Sequence, residues 1–145
     1  MIFRTATRHD LPALLALLAD AGEERAEVGE AHERAFAAIE ADARNEMLVL
    51  VEDAVVLGCL QLTYIPGLGQ GGRERALVEA VRVRADRRGH GLGAELMRLA
   101  VDRARERGCG RIQLTSDKQR SDAHRFYERL GFARSHEGFK LRLAD

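Results

Sequence analysis

The stretch Arg88–Met97, with the sequence RGHGLGAELM, decides the fold. It follows an apolar, β-branched run, Leu77–Val83, and it leads into a segment whose apolar residues recur at helical spacing. A strand, a glycine-rich turn and a helix start in this order form a binding device for phosphate. Glycines let the backbone approach an anion closely, and the first N–H groups of a helix point at it. We therefore expect a phosphate-bearing ligand at this turn.

Three interpretations of the turn compete. A P-loop would need a Gly-Lys-Ser/Thr ending, but Ala94 and Glu95 follow Gly93. A dinucleotide fingerprint read from Gly89 would meet Ala94 at its third glycine. Its looser Gly/Ala form admits this residue, but the fingerprint belongs on the first strand of a βαβ repeat and this turn comes late. A glycine-rich turn without a ligand is the third interpretation.

The bulk properties limit the class of protein. The 145 residues suit one domain, residues 1–145, and 23 basic residues balance 23 acidic ones. The charge therefore gives no argument for a nucleic-acid or membrane partner. Cys59 and Cys109 match no metal spacing and predict buried free thiols. Without a signal-peptide pattern or a long apolar run, we expect a cytoplasmic protein that holds no metal.

Antiparallel pairing is expected in the first half of the chain. Residues 2–7 predict a strand, and Asp10 is expected to cap a helix that ends at Gly22. An acidic tract at 23–30 precedes a second predicted helix at 31–43, with Phe36 and Ile39 facing inward. Strands at 47–51 and 55–65 are separated by a break short enough for a hairpin, and the glycine-rich loop 66–72 follows.

The second half predicts a parallel crossover. A helix from residue 92 should end at Gly108, and a strand follows at 111–115. Ser121 is expected to cap a last helix that ends at Gly131, before a final strand at 139–143. Antiparallel strands early and one crossover late indicate an α+β protein with a mixed sheet flanked by helices.

Two motifs give this chain a family resemblance. The pattern Arg88-x-x-Gly91-x-Gly93 resembles the acetyl-CoA signature of the GNAT N-acetyltransferases. The segment Ala123–Phe132, AHRFYERLGF, resembles that family's late Ala-x-x-Phe-Tyr-x-x-x-Gly-Phe helix, and Val55–Gly58 resembles its third strand. The resemblance covers nearly the whole chain, most strongly residues 77–132. It implies the GNAT-type acyl-CoA N-acyltransferase fold and acetyl-CoA as co-substrate.

The resemblance also implies which residues bind coenzyme A. The pyrophosphate would lie on backbone N–H groups of the turn and helix start, which are those of Arg88, Gly89, His90, Gly91, Leu92, Gly93 and Ala94. The pantetheine arm would lie along Val81, Arg82 and Val83, with a backbone N–H near Val81 polarising the thioester carbonyl. Many family members have asparagine where this chain has Arg120, which puts that contact with the arm in doubt.

Two side chains are the catalytic candidates. Tyr127 matches the family tyrosine that protonates the departing thiolate, although a core aromatic would fit the spacing as well. Glu79 is a lone carboxylate in an apolar strand, where burial would raise its pKa and suit it to be the base. The alternatives for Glu79 are a solvent-facing side chain, an arginine pair, or a base that acts through water.

The resemblance implies acetyl transfer from acetyl-CoA to a primary amine by direct attack in a ternary complex. With no cysteine expected in the site, a covalent route is disfavoured. A small amine is the expected acceptor, and a peptide or protein amine or a non-catalytic acyl-CoA-binding regulatory domain are the alternatives. A second copy of the chain, forming a homodimer, is a further candidate partner.

Overall fold

The computed structural model describes residues 1–19 and 26–144 and divides the chain into two compact units. The N-terminal unit spans residues 1–113 and the C-terminal unit begins at Leu114. The predicted end of the first helix at Gly22 and the start of the acidic tract lie outside the described residues.

Among the described residues, five strands form one sheet in the order of the chain, and four α-helices accompany it. The strands are β1 (Ile2–Thr5), β2 (Asn45–Glu52), β3 (Val55–Ile65), β4 (Arg75–Val83) and β5 (Arg111–Leu114). The helices are α1 (Leu11–Ala19), α2 (Glu30–Ala41), α3 (Leu92–Arg107) and α4 (Ser121–Arg129). Strands β1 to β4 pair antiparallel in succession. The α+β class and the β2–β3 hairpin are confirmed.

The hairpin turn is a two-residue connection that contains neither glycine nor asparagine. Asp53 and Ala54 both have positive φ, +50° and +64°, between the paired residues Glu52 and Val55. Two left-handed residues give the turn a twist that matches the strands it joins. The turn sets the pairing of Glu52 with Val55 and of Val51 with Val56, and the register of β2 on β3 then shifts by one residue at Leu50.

The sheet carries helices on both faces. Cys59 belongs to a core cluster with Leu11 of α1 and Phe36 of α2. Its neighbour Gly58 points the opposite way, because successive residues of a strand alternate between faces. A Cβ on Gly58 would come within 2.8 Å of Leu96 Cδ1, so glycine is what allows α3 to approach β3 this closely.

A polar network joins α3 to the sheet. Arg103 Nε donates to Glu46 Oε2 over 2.7 Å, and the Tyr64 hydroxyl donates to the same oxygen over 2.8 Å. The guanidinium of Arg107 lies 3.9 Å from the centre of the Tyr64 ring, a cation–π contact. Burial and the Glu46 carboxylate both raise the pKa of Tyr64, so its hydroxyl stays a proton donor.

Two helix starts differ from the prediction. A short 3₁₀ helix, Arg8–Asp10, precedes α1, and Thr7 is the residue before it. The Thr7 backbone N–H donates to Asp10 Oδ2 over 2.7 Å, so Asp10 reaches back instead of standing at the cap position. Arg120, one residue earlier than predicted, precedes α4. Both differences are a shift of the helix start, which sequence patterns locate least well.

The C-terminal unit contains α4 and its glycine ending, as predicted. Gly131 has φ of +99°, and the Phe132 N–H donates to the Tyr127 carbonyl over 3.1 Å, the long bond of a Schellman ending. The rings of Tyr127 and Phe132 lie 6.0 Å apart and supply the apolar contact that accompanies it.

The predicted strand at 139–143 is wrong. The segment has no strand structure, and its apolar side chains are 84–92% exposed; they are Phe139, Leu141 and Leu143. Alternation of apolar and charged residues specifies a strand only where a neighbouring strand supplies hydrogen bonds. Apart from Leu114 at the end of β5, the described residues of the C-terminal unit offer no strand for this pairing.

Candidate active site

A β-bulge interrupts β4 where the thioester-binding strand was predicted. Gln61 pairs with Glu79 and Cys59 pairs with Arg82, so that Ala80 and Val81 together oppose Leu60. Ala80 has φ of +55°, a left-handed conformation that is uncommon outside glycine. A bulge leaves backbone groups of its extra residue outside the ladder and bends the strand. The N–H groups of the bulge are therefore the candidates for binding a ligand.

Cys59 lies beside both ends of this bulge. Its Sγ donates to the Ala80 carbonyl oxygen over 3.5 Å, and Cys59 itself is the cross-strand partner of Arg82. The residue is completely buried, and burial raises the pKa of the thiol to about 12. β3 thus places a cysteine directly behind the bulge, inside the core cluster, and the expectation that no cysteine lies in the site stays a prediction. As a buried thiol it is a poor nucleophile, because the thiolate is the reactive form.

The predicted arm-binding residues begin in the bulge itself, at Val81. Val81, Arg82 and Val83 are all half-buried, and Arg82 Nη1 donates to the Val81 carbonyl over 2.9 Å. The N–H is the backbone group of Val81 that can donate to a carbonyl oxygen. Their contact with a pantetheine arm remains a prediction.

The glycine turn joins the end of β4 to α3. After the 3₁₀ helix Ala85–Arg87, Gly89 and Gly91 take φ of +80° and +79°, and a Cβ on either would meet no atom within 4 Å. The first helical hydrogen bond runs from the Glu95 N–H to the Gly91 carbonyl over 3.1 Å. Helix geometry therefore leaves the N–H groups of the preceding residues without a partner inside the helix; these are Leu92, Gly93 and Ala94.

The remaining turn residues are exposed. Arg88 Nε donates to the Val83 carbonyl over 3.3 Å, which ties the turn back to the end of β4. The Arg88 backbone N–H is 3.5 Å from the Ala85 carbonyl, so it is partly engaged within the chain. The exposed His90 fits the expectation that it contributes its backbone only.

Glu79 is exposed, so the expectation of burial is wrong. It lies on the sheet face opposite the buried Val78, and its cross-strand neighbour is the half-buried, polar Gln61. Polar neighbours leave this part of the face without an apolar cover, which explains the exposure. The position is accessible to a ligand and directly precedes the bulge.

Tyr127 belongs to the C-terminal unit. Its half-buried ring makes edge-to-face contacts with Phe126 and Phe132, with centroids 5.2 and 6.0 Å apart. These contacts fix the ring on α4. Arg120, which stands in place of the family's asparagine, is exposed. The roles of both residues remain predictions.

Within residues 1–19 and 26–144, no group of three or more His, Cys, Asp or Glu side chains could hold a metal ion. No helix in the same ranges is both long enough and apolar enough to cross a membrane.

Comparison with known proteins decides the family. The model of the acetyltransferase (GNAT) family matches residues 11–132, which include β4, the glycine turn and α4. The chain belongs to the GNAT family. The family's fold accounts for the mixed sheet and for the helix that follows the glycine turn.

Individual relatives differ in their stated roles. A crystal structure of a transcriptional regulator from Bacillus halodurans C-125 is 44% identical, with a TM-score of 0.92, over 98% of this chain and 99% of that one. Aminoalkylphosphonate N-acetyltransferase of Salmonella typhimurium is 29% identical over 94% of this chain and 87% of its own length. Streptothricin acetyltransferase of Streptomyces lavendulae is 33% identical over 77% of this chain, and the match spans 51% of that relative's length.

Sequence reasoning missed the bulge and the role of Cys59. Positive φ is usually signalled by glycine, and Ala80 gives no such signal. The buried thiol was foreseen for Cys59, whereas Cys109 is only half-buried. Cys59 gives no signal either. It lies in a largely apolar strand, and nothing in that strand's sequence indicates a bulge in the neighbouring strand.

Proposed function

We propose that residues 1–145 act as a single N-acetyltransferase domain that transfers the acetyl group of acetyl-CoA to a primary amine. The observation that carries the proposal is the bulge of β4 followed at once by the glycine turn and α3. One continuous segment thereby offers backbone donors for a carbonyl oxygen and, a few residues later, for a pyrophosphate. Membership of the GNAT family supports the same reaction.

Glu79 starts the reaction by accepting a proton. An alkyl amine has a pKa near that of lysine, about 10, so it arrives as an ammonium ion without a free lone pair. The exposed carboxylate of Glu79 takes one proton. The nitrogen lone pair then forms a bond to the thioester carbonyl carbon, and the C=O electron pair moves onto oxygen. The Val81 N–H stabilises this oxyanion.

Collapse of the tetrahedral intermediate completes the transfer. The C=O bond forms again, the C–S bond breaks, and the thiolate leaves with its electron pair. The nitrogen still carries one proton more than the product amide. Tyr127 is the proposed donor of a proton to the thiolate, and the proton that the nitrogen gives up restores the Tyr127 hydroxyl through water. Glu79 then releases the proton it accepted to solvent. The net reaction converts an ammonium ion and acetyl-CoA into an amide, coenzyme A and one released proton.

Direct attack in a ternary complex is favoured over an acetyl-enzyme. Cys59 is the one cysteine in contact with the bulge among the described residues, and it is completely buried. Its pKa of about 12 leaves almost no thiolate at neutral pH. An acetyl group on this sulfur would also break the hydrogen bond to the Ala80 carbonyl.

A small amine is the proposed acceptor, with a peptide or protein amine as the alternative. The names of two relatives, an aminoalkylphosphonate and a streptothricin acetyltransferase, support a small acceptor. A non-catalytic acyl-CoA-binding regulatory domain is the second candidate function, and the name of the 44% identical Bacillus protein favours it.

Thiol release from acetyl-CoA, measured with a panel of small amines and short peptides, tests the proposal. We expect release that depends on one class of amine. Calorimetric binding of coenzyme A without release with any amine would favour the regulatory domain. No binding and no release would contradict both functions.

A further inference from the structure

Four polar residues gather on one face of the sheet beside the bulge. Gln61 and Glu79 are cross-strand neighbours, and Asn45 and Thr63 are cross-strand neighbours one pair further along the same face. Partners in an antiparallel pair share a face, with Cβ atoms about 5 Å apart. Asn45, Gln61 and Thr63 are half-buried and Glu79 is exposed, so the group is open to a ligand.

Hydrogen bonds fix the orientation of the Asn45 amide. Its Nδ2 donates to Asp42 Oδ2 over 2.9 Å, and a carboxylate can only accept. Its Oδ1 must therefore face the opposite way, where it accepts from Thr63 Oγ1 over 2.9 Å and from Gln61 Nε2 over 3.2 Å. The series of bonds that starts at Asp42 therefore fixes which side-chain atom is the oxygen and which is the nitrogen in both Asn45 and Gln61.

The Gln61 amide is consequently oriented as well. Its NH₂ group is held by Asn45, so its carbonyl oxygen, Oε1, is the group left to act as an acceptor. No described residue of the chain donates a hydrogen bond to this oxygen. The neighbouring Glu79 carboxylate likewise has no ion pair with any described residue. The two residues that carry these acceptors are cross-strand partners at the last regular pair before the bulge.

We propose that Gln61 Oε1 and the Glu79 carboxylate together bind the ammonium group of the acceptor. A primary ammonium has three N–H donors, and the two oxygens of the Glu79 carboxylate together with Gln61 Oε1 offer three acceptors. An N-methyl amine has only two N–H donors, which the charged carboxylate takes, so that Gln61 Oε1 loses its partner. Glu79 takes the proton that is removed, while Gln61 holds a second N–H and positions the nitrogen at the bulge. Gln61 is thus a specificity-determining residue for primary amines, an inference that rests on the proposed acetyl transfer.

Comparison of a primary amine with its N-methyl counterpart tests this role. The methyl group keeps the positive charge and removes one N–H. We expect wild type to prefer the primary amine by about tenfold or more, the value of one hydrogen bond to a charged group. Gln61→Met, which keeps the chain length and loses the carbonyl, should lower kcat/KM for the primary amine to that of the N-methyl amine. The N-methyl amine itself should change less than about twofold.

Two further variants separate specificity from folding. Gln61→Glu retains an acceptor oxygen and should retain the preference. Thr63→Val removes another bond to the same Asn45 oxygen without touching Gln61 Oε1, and it should also retain the preference. A Gln61→Met variant that loses activity equally on both amines, or on neither, would overturn the inference. Glu79→Gln should lower activity on both amines, because both need a base.

Failure of the proposed function can be told apart from failure of this inference. If wild type acetylates no amine, the reaction is contradicted, and binding then decides about Gln61. Aminoethylphosphonate and its N-methyl form would be titrated calorimetrically into the protein saturated with coenzyme A. Weaker binding of the primary amine alone to Gln61→Met supports the ammonium site, and equal binding by wild type and variant overturns it.

Discussion

Cys59 Sγ lies 3.5 Å from the carbonyl oxygen of Ala80, the residue that enters the bulge with φ of +55°. Because Cys59 is also the cross-strand partner of Arg82, one buried residue on β3 lies against both sides of the irregularity in β4. The left-handed Ala80 costs conformational energy, and the bond from Cys59 helps to offset it. The geometry of the proposed thioester site therefore depends on a residue that touches no substrate.

Replacement of Cys59 tests this dependence. Cys59→Ala removes the hydrogen bond to Ala80, so we expect a loss of about 1 kcal/mol in the free energy of unfolding. The value of kcat/KM for acetyl-CoA should also fall, although a loss of this size leaves the protein folded, because the shape of the bulge changes. Cys59→Ser keeps a donor at the position and should recover part of the activity.

The control for this pair is Cys109→Ala. Cys109 is half-buried and follows the end of α3, away from the bulge. Denaturant unfolding and steady-state rates would be measured on the three variants. Equal activity of Cys59→Ala and Cys109→Ala would show that the thiol has no part in shaping the site.

Two glycines at opposite ends of α3 provide a matched test of coenzyme A binding at the glycine turn. Gly91 precedes the helix and Gly108 follows it, with φ of +79° and +85°, and a Cβ on either meets no atom within 4 Å. Alanine at either position carries the same backbone strain, about 1–2 kcal/mol. Thermal unfolding should report similar losses for Gly91→Ala and Gly108→Ala.

Only Gly91→Ala should weaken the binding of acetyl-CoA. Its methyl group lies where the pyrophosphate is expected, so the KM for acetyl-CoA should rise about tenfold or more, while that of Gly108→Ala stays near the wild-type value. The expected factor corresponds to the loss of one charge-assisted hydrogen bond. Equal KM values in the two variants would place the cofactor elsewhere.

Tyr127→Phe should lower kcat by about 100-fold, the lower range for a general acid, and leave the dissociation constant of acetyl-CoA nearly unchanged. The other tyrosine of the chain, Tyr64, supplies the control. Tyr64→Phe removes the hydroxyl that donates to Glu46 and should affect stability, with kcat close to wild type. Similar kcat values for the two variants would remove Tyr127 from the mechanism.

Glu46 is expected to make the free energy of unfolding depend on pH in the acidic range. Burial alone would raise the pKa of this carboxyl, but hydrogen bonds from Arg103 and Tyr64 outweigh it and hold the pKa below its usual value of 4.5. Its contribution to the free energy of unfolding is therefore complete above pH 4.5 and is lost as pH falls through the lower folded-state pKa.

Glu46→Gln should lower the free energy of unfolding by about 2 kcal/mol at pH 7. The difference from wild type should shrink as the pH falls below 4.5. Urea unfolding at several pH values measures both effects, with Glu40→Gln at an exposed position of α2 as control. A difference from wild type that is constant with pH would contradict the role given to the network.

The main elements of the fold could be predicted because local patterns specify them. Gly108 and Gly131 end the helices where the sequence predicts, since a left-handed residue there is cheap only for glycine. The segment 139–143 was assigned incorrectly because its alternation depends on a neighbouring strand. Sequence periodicity reports what a segment could pair with and not whether the partner is present.

The site could be predicted only in part, for a similar reason. The glycine turn of residues 88–94 is local and the sequence displays it directly. The bulge arises from pairing between β3 and β4, which are distant in sequence, and neither Ala80 nor Cys59 signals it. Exposure of Glu79 likewise follows from its cross-strand neighbour Gln61, which only the register reveals.

Transfer of a ¹³C-labelled acetyl group, followed by NMR, tests the central claim most directly. The protein would be mixed with acetyl-labelled acetyl-CoA and the amine that gives the fastest thiol release. We predict that the label moves from the thioester to an amide on the amine nitrogen, at the rate of thiol release and without a labelled protein intermediate. Label that stays on coenzyme A, appears as free acetate, or accumulates on the protein would contradict direct acetyl transfer.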